Sequence, residues 1–155
     1  MSHRTSPVTI LVADDDADDR QLIAEAFEEA KIRNDLRFVE DGVELLEYLQ
    51  HRGKFADPES APRPGLILLD LNMPRMDGRE ALAVIKEDRN LRSIRVIIMT
   101  TSRAEQDIVQ SYDLMASSFI TKPVRFESLV EVVKTIGKYW LEVVELPPNE
   151  ADATP

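Results

Sequence analysis

The sequence predicts an α/β protein built on a doubly wound parallel sheet, and two observations carry this prediction. First, short apolar runs alternate with amphipathic segments five times along the 155 residues. Runs that are apolar throughout are typical of parallel strands covered by helices on both faces. Second, several of these runs end abruptly in polar residues, and ligands of such sheets bind beyond the carboxyl ends of the strands. The same edge of the sheet is therefore the expected functional site.

Five runs of aliphatic and β-branched residues predict the strands. Residues 66–69 are apolar at every position and the runs 8–13 and 94–99 are mainly apolar, whereas residues 36–39 alternate as a half-buried strand does. The predicted strands span residues 8–13, 36–39, 66–69, 94–99 and 118–120.

Apolar residues at helical spacing predict a helix after each strand. Asp41-Gly42 opens the second helix, and Pro147-Pro148 ends the last one. The predicted helices span residues 17–31, 42–52, 78–88, 104–114 and 126–144. The intervening stretch 53–65 is rich in proline and reads as a long loop. A contact surface and a tolerated surface insertion are equally good interpretations of this loop.

The bulk composition indicates one soluble globular domain and argues against several function classes. A formal net charge of -10 argues against binding to nucleic acids or anionic membranes. The absence of cysteine excludes disulfides and thiolate chemistry, and no apolar segment of the N-terminus predicts a signal peptide. We expect a cytoplasmic protein with a flexible N-terminus (1–7), one domain (8–146) and a disordered tail (147–155).

Polar side chains gather at the predicted carboxyl edge of the sheet. Asp14 and Asp15 follow the first strand and Asp70 ends the third. Crowded carboxylates disfavour their own ionisation unless a cation compensates, and Mg²⁺ prefers carboxylate ligands. Helix capping is the alternative for the aspartate run that includes Asp16. Thr100 after the fourth strand and Lys122 after the fifth complete a set that suits a phosphoryl group on an aspartate nucleophile.

Four motifs resemble the receiver domain of two-component response regulators. They are Leu11-Val12-Ala13-Asp14-Asp15, Leu68-Leu69-Asp70-Leu71-Asn72-Met73-Pro74-Arg75-Met76-Asp77-Gly78, Ile98-Met99-Thr100-Thr101-Ser102 and Phe119-Ile120-Thr121-Lys122-Pro123. The resemblance extends from the first strand to the last in the same order. It implies a flavodoxin-like (βα)5 fold with strand order 2-1-3-4-5.

The resemblance also implies a role for each matching residue. Asp70 would be the phosphoacceptor, and Mg²⁺ would be held by Asp14, Asp15, Asp70 and the backbone carbonyl of Asn72. Thr100 would bond the phosphoryl group, and Lys122 would pair with its oxygens. Phe119 would be the switch aromatic whose ring follows Thr100.

Less specific interpretations stand beside these roles. Lys122 could be a surface lysine before a turn, Phe119 a core aromatic, and Thr100 a strand-end hydroxyl bonded to backbone. Asp16, Asp18 and Asp19 match no family role and are interpreted as a helix cap and solvated charge.

Three further segments resemble single-domain regulators that serve bacterial phytochrome histidine kinases. They are Ala61-Pro62-Arg63-Pro64, Ser111-Tyr112-Asp113-Leu114 and the ending that runs from Tyr139 to Pro148. The resemblance implies a phosphoacceptor for such a kinase in light signalling, one that catalyses only its own phosphorylation and dephosphorylation. With no sequence left for an output domain, the expected output is a change on its own surface.

The apolar residues around Trp140 predict a homodimer through the fourth helix, fifth strand, fifth helix and C-terminal segment. The alternative is that Trp140 folds back onto its own sheet. Two rival functions remain. One is a receiver-shaped adaptor that acts without phosphorylation. The other is an aspartate-nucleophile phosphatase of the haloacid dehalogenase type, which needs a second aspartate where this chain has Asn72.

Overall fold

The computed structural model describes residues 8–100 and 118–138, apart from the side chains of Thr100, Ser118 and Phe119. Five parallel strands form one sheet in the order β2-β1-β3-β4-β5. This confirms the predicted fold class and strand order. The strands are β1 (Ile10–Ala13), β2 (Leu36–Val39), β3 (Leu66–Asp70), β4 (Arg95–Thr100) and β5 (Ser118–Thr121).

Four α-helices lie within the described residues: α1 (Ala17–Glu29), α2 (Gly42–Gln50), α3 (Gly78–Glu87) and the C-terminal helix (Phe126–Ile136). The helix predicted over 104–114 and the end of the one predicted over 126–144 lie outside the described residues. No helix of the described part is long and apolar enough to cross a membrane.

Two helices end earlier than the sequence pattern predicts. Lys31 has a φ of 63° and His51 a φ of 56°, so both adopt the left-handed conformation. A residue in this conformation cannot continue a right-handed helix. Both helices, α1 and α2, therefore end two residues before the bounds predicted from the sequence.

The strands carry side chains alternately to two cores. Ile10 and Val12 pack with Phe27 of α1 and Val133 of the C-terminal helix. Leu11 and Ala13 belong to the opposite core, which contains the buried side chains of α2 and α3. Because successive strand residues point to opposite faces, one continuous apolar run supplies both layers.

The long loop before β3 is tied to the domain. The Tyr48 hydroxyl donates a hydrogen bond of 2.8 Å to the carbonyl of Pro62. A ring nitrogen of His51 lies 2.9 Å from the carbonyl of Ala61, whose side chain is fully buried. The loop also contains a short 3-10 turn, Gly53–Phe55, whose Phe55 ring packs 5.1 Å from that of Tyr48. These contacts make the loop a packed part of the domain.

Candidate functional site

Strand register brings two aspartates together. β1 and β3 pair in parallel with Val12 opposite Leu68 and Ala13 opposite Leu69. Asp14 and Asp70 each lie two residues beyond this Val12–Leu68 pair. Because residues i and i+2 of a strand face the same side of a sheet, the two aspartates occupy neighbouring positions on one side of the sheet edge. The sequence predicted that these strand ends meet, and the structure places them together.

Both aspartates are buried: Asp14 is 1% exposed and Asp70 8%. Burial raises the pKa of Asp14, and hydrogen bonds from Lys122 and the Asp16 amide offset only part of that effect. Burial likewise raises the pKa of Asp70, against the lowering effects of the Asn72 amide and Lys122. For both aspartates, burial therefore raises the pKa by more than the hydrogen bonds and the nearby ammonium lower it.

Lys122 joins the carboxylates from the end of β5. Its Nζ donates hydrogen bonds to Oδ2 of Asp14 at 2.8 Å, Oδ2 of Asp19 at 2.9 Å and Oδ2 of Asp70 at 3.3 Å. Burial alone would lower the pKa of Lys122, but these hydrogen bonds and the nearby negative charge raise it above its ordinary value. The Lys122 side chain is only 12% exposed and lies among carboxylates, which does not fit an ordinary surface lysine before a turn.

Sequence reasoning missed the role of Asp19. The solvated charge expected at this position is instead an ion pair with Lys122. α1 begins directly beyond the carboxyl edge of the sheet, and the carboxylate of Asp19 in its first turn contacts the Lys122 ammonium. Asp16 behaves as predicted: it is the N-cap of α1, and its Oδ1 accepts from the amides of Asp18 and Asp19.

Three carboxylates form a potential cation site. One oxygen each from Asp14, Asp15 and Asp70 lie within 4.8 Å of one another. Asp14 and Asp70 are buried, whereas Asp15 is exposed to solvent. Hard oxygen ligands with access to water are what Mg²⁺ and similar divalent cations prefer. The donor set fits the predicted metal, and Asp15 would leave the cation in contact with solvent.

The segment between β3 and α3 carries Asn72 and is fastened to α2. Arg75 has a φ of 64°, and its Nε and Nη2 donate to the two oxygens of Asp41 at 2.7 Å and 3.1 Å. The Gly42 amide donates to the carbonyl of Met76 at 2.9 Å. A Cβ at Gly42 would lie 2.3 Å from that carbonyl oxygen, so only glycine permits this approach.

Asp41 also caps α2 by accepting from the Glu44 amide at 2.8 Å. Burial on its own would raise the pKa of Asp41, but the Arg75 guanidinium and the Glu44 amide hold that pKa below its ordinary value. No motif examined in the sequence singled out this pair. The bidentate contact indicates that the loop next to Asp70 is positioned by α2.

The remaining predicted residues are described only in part. Thr100 is the last residue of β4 and Phe119 lies in β5, next to Ile98 in the register. Their side chains and Thr101 lie outside the described residues, so the roles of Thr100 and Phe119 stay predictions. The Asn72 amide donates to Oδ1 of Asp70 at 3.0 Å, which turns the chain sharply after the strand.

Comparison with known proteins decides the family. The model of the response regulator receiver domain matches residues 10–134. The chain belongs to the response regulator receiver family. Its curated relatives include the response regulator Rcp1 of Synechocystis sp., with 40% identity over 141 residues that cover 91% of this chain and 94% of Rcp1.

Solved structures of receiver proteins agree. The crystal structure of the Mn²⁺-bound form of Rcp1 matches with a TM-score of 0.78 and 40% identity, covering 91% of this chain and 99% of that one. The phosphorylated cyanobacterial phytochrome response regulator RcpA matches with a TM-score of 0.81 and 41% identity over the same shares of the two chains. The receiver fold and the family membership predicted from the motifs are confirmed.

Proposed function

We propose that this receiver protein accepts a phosphoryl group on Asp70 from a phospho-histidine kinase. The observation that carries the proposal is the Lys122 ammonium, which bridges Asp70 and Asp14 at the carboxyl edge of the sheet. A buried carboxylate beside a cation, with a second buried carboxylate adjacent, has no packing role. It matches the needs of phosphoryl transfer, in which positioning and charge neutralisation do most of the work.

The transfer forms one bond and breaks one. A carboxylate oxygen of Asp70 attacks phosphorus, and the phosphorus–nitrogen bond of the phospho-histidine breaks. The bonding electron pair returns to the imidazole ring, and Asp70 becomes an acyl phosphate. Nothing is oxidised or reduced. Lys122 lies 3.3 Å from the carboxylate and can then pair with a phosphoryl oxygen.

The residues that would hold Mg²⁺ are Asp14, Asp15, Asp70 and the backbone carbonyl of Asn72. Their fit rests on the clustering of three carboxylate oxygens and on the burial of Asp14 and Asp70, which raises the pKa of both carboxyl groups. A bound divalent cation supplies neutralisation of the charge on the transferring oxygens. Asp14 and Asp70 hold their positions through the amides of Asp16 and Asn72.

The signal would be a change in the protein's own surface. In the proposal, Thr100 moves to bond the phosphoryl group and Phe119 follows it into a new rotamer. Adding a phosphoryl group introduces about one to two negative charges at the sheet edge. Such a local charge event can bias a packed element between two arrangements.

A phytochrome kinase is the proposed donor. The support is that RcpA, a similar structure, is a cyanobacterial phytochrome response regulator by its own description. Phosphotransfer to this chain from a bacteriophytochrome kinase, compared in darkness and red light, tests the partner. A homodimer through the C-terminal segment around Trp140 is a separate proposal about residues outside the described ones, tested by sedimentation with and without a phosphoryl mimic.

Phosphate uptake tests the central proposal. Wild-type protein should gain phosphate from acetyl phosphate or a phospho-histidine donor, and chelation of Mg²⁺ should stop the reaction. Asp70→Asn should accept none, whereas Asp18→Asn, which changes an exposed aspartate nearby, should behave as wild type. Unchanged yield in Asp70→Asn would show that the acceptor is another residue. A wild-type protein that takes up no phosphate would favour the adaptor interpretation.

A further inference from the structure

The three hydrogen-bond donors of Lys122 are matched by three carboxylates. An ammonium group has three N–H donors and no acceptor. The Nζ atom lies 2.8 Å from Asp14, 2.9 Å from Asp19 and 3.3 Å from Asp70. A phosphoryl oxygen that pairs with Lys122 must therefore displace one of these contacts.

The three partners differ in how easily each can be released. Asp14 is 1% exposed, and a buried carboxylate without its cation is strongly disfavoured. Asp70 is the residue that carries the phosphoryl group. The Asp19 side chain is 35% exposed, so water can solvate its carboxylate after the ammonium leaves. Asp19 is consequently the partner whose release costs least.

Asp19 reaches Lys122 from α1, whereas Asp14 and Asp70 reach it from strand ends. The two residues are 103 positions apart in the chain. Asp19 lies in the first turn of a helix capped by Asp16, so its backbone is held independently of Lys122. The contact is therefore an attachment between α1 and the end of β5, and it exists only while Lys122 stays in this position.

We propose that Asp19 is a positioning residue that holds Lys122 in the unphosphorylated protein and competes with the phosphoryl group for it. This deepens the proposed function and rests on it. The Asp19 carboxylate opposes phosphorylation in two ways. It occupies an N–H donor of Lys122 that the phosphoryl group needs, and it adds a negative charge beside the phosphoryl oxygens. Phosphorylation would break the link between Asp19 and Lys122 and free the first turn of α1 from β5.

Binding of beryllofluoride, a mimic of the phosphoryl group, tests the proposal in the full chain with Mg²⁺ present. Asp19→Asn should bind it about fivefold more tightly than wild type, since a partly exposed ion pair has a strength of this order. The matched control is Asp18→Asn, which removes the same charge from the same helix turn at an exposed position. It should leave the affinity within about twofold of wild type, because surface substitutions of this kind have small effects.

Two further measurements separate competition for Lys122 from a general structural effect. In a Lys122→Gln background, Asp19→Asn should no longer tighten binding beyond the effect of Asp18→Asn. In the metal-free protein, the NMR signals of the Lys122 Nζ and Cε atoms should shift in Asp19→Asn and stay in place in Asp18→Asn.

The outcomes distinguish the two proposals. A wild-type protein that binds no beryllofluoride would overturn the proposed function and this inference together. If wild type binds beryllofluoride and Asp19→Asn binds it equally well or more weakly, the inference alone is overturned. An equal gain from Asp18→Asn, or a gain that persists in Lys122→Gln, would also overturn it, because the effect would then come from overall charge.

Discussion

Replacement of Asp70 by asparagine should make the metal-free protein more stable, although it removes the proposed phosphoacceptor. Oxygens of Asp70 and Asp14 lie within 4.8 Å, where two unit charges repel by about 3.5 kcal/mol at an effective dielectric constant of about 20. Lys122 lies 3.3 Å from Asp70 and attracts it by about 5 kcal/mol on the same scale. Asp15 is exposed, so its repulsion is screened to about 1 kcal/mol or less.

These Coulomb energies cancel to within about 1 kcal/mol. The cost of burying the Asp70 charge therefore decides whether Asp70→Asn raises or lowers the free energy of unfolding. An ionised carboxylate loses several kcal/mol of hydration on burial even after the protein relaxes. Asparagine has no charge to desolvate, and its side-chain oxygen can still accept from the Asn72 amide as Asp70 does. We expect Asp70→Asn to raise the free energy of unfolding by about 2 kcal/mol in the absence of divalent cations.

Urea unfolding followed by circular dichroism measures this difference. The transition midpoint of Asp70→Asn in a chelating buffer should be higher, with an unchanged dependence on urea. Mg²⁺ at about 100 times its dissociation constant should then stabilise wild type by about 2.7 kcal/mol, and Asp70→Asn by much less. Asp18→Asn should stay within about 0.5 kcal/mol of wild type. A less stable Asp70→Asn in the chelating buffer would refute the reasoning that burial outweighs the attraction of Lys122.

Three other substitutions test the surroundings of the site. Gly78→Ala places a Cβ 2.6 Å from the carbonyl oxygen of Asp70, so we expect a loss of about 1–3 kcal/mol in urea unfolding and slower phosphorylation. Unchanged values would contradict the close packing. Tyr48→Phe removes the hydroxyl bound to Pro62 and should cost about 1 kcal/mol and speed proteolysis of the long loop before β3; equal cleavage rates would show that the loop is held by other contacts. Because Arg75 lowers the pKa of Asp41 from its ordinary value of 3.8, the ionised carboxylate stabilises the fold above that pH, and this contribution is lost as the pH falls through the lowered pKa. Asp41→Asn should therefore flatten the acid limb of the stability profile, and parallel profiles for the variant and wild type would show that Asp41 is not the group responsible.

Much of the fold followed from local patterns. β3 (Leu66–Asp70) was recognisable because a strand buried on both faces is apolar at every position. The starts of α1 and α3 could also be predicted from local sequence, since Asp16 and Asp77 cap them within one turn. Helix ends were less predictable, because the apolar pattern continues past Glu29 into residues that leave the helix.

The candidate site was predictable as far as its strand ends. Asp14 and Asp70 end strands that pair in register, and parallel pairing brings such residues together in any sheet of this type. The partners of Lys122 were only partly foreseen. The clamp between Arg75 and Asp41 was not foreseen at all, since it depends on a left-handed backbone in the loop before α3.

The sequence by itself determined the alternation of elements, the carboxylates at the strand ends and the motifs that place the chain in the receiver family. Each of these depends on residues within a few positions of one another, where steric preference and apolar periodicity act. Only the tertiary structure decided that Asp19 meets Lys122 and that α2 holds the loop beside Asp70. These contacts join distant parts of the chain, and their geometry depends on how each helix packs against the sheet.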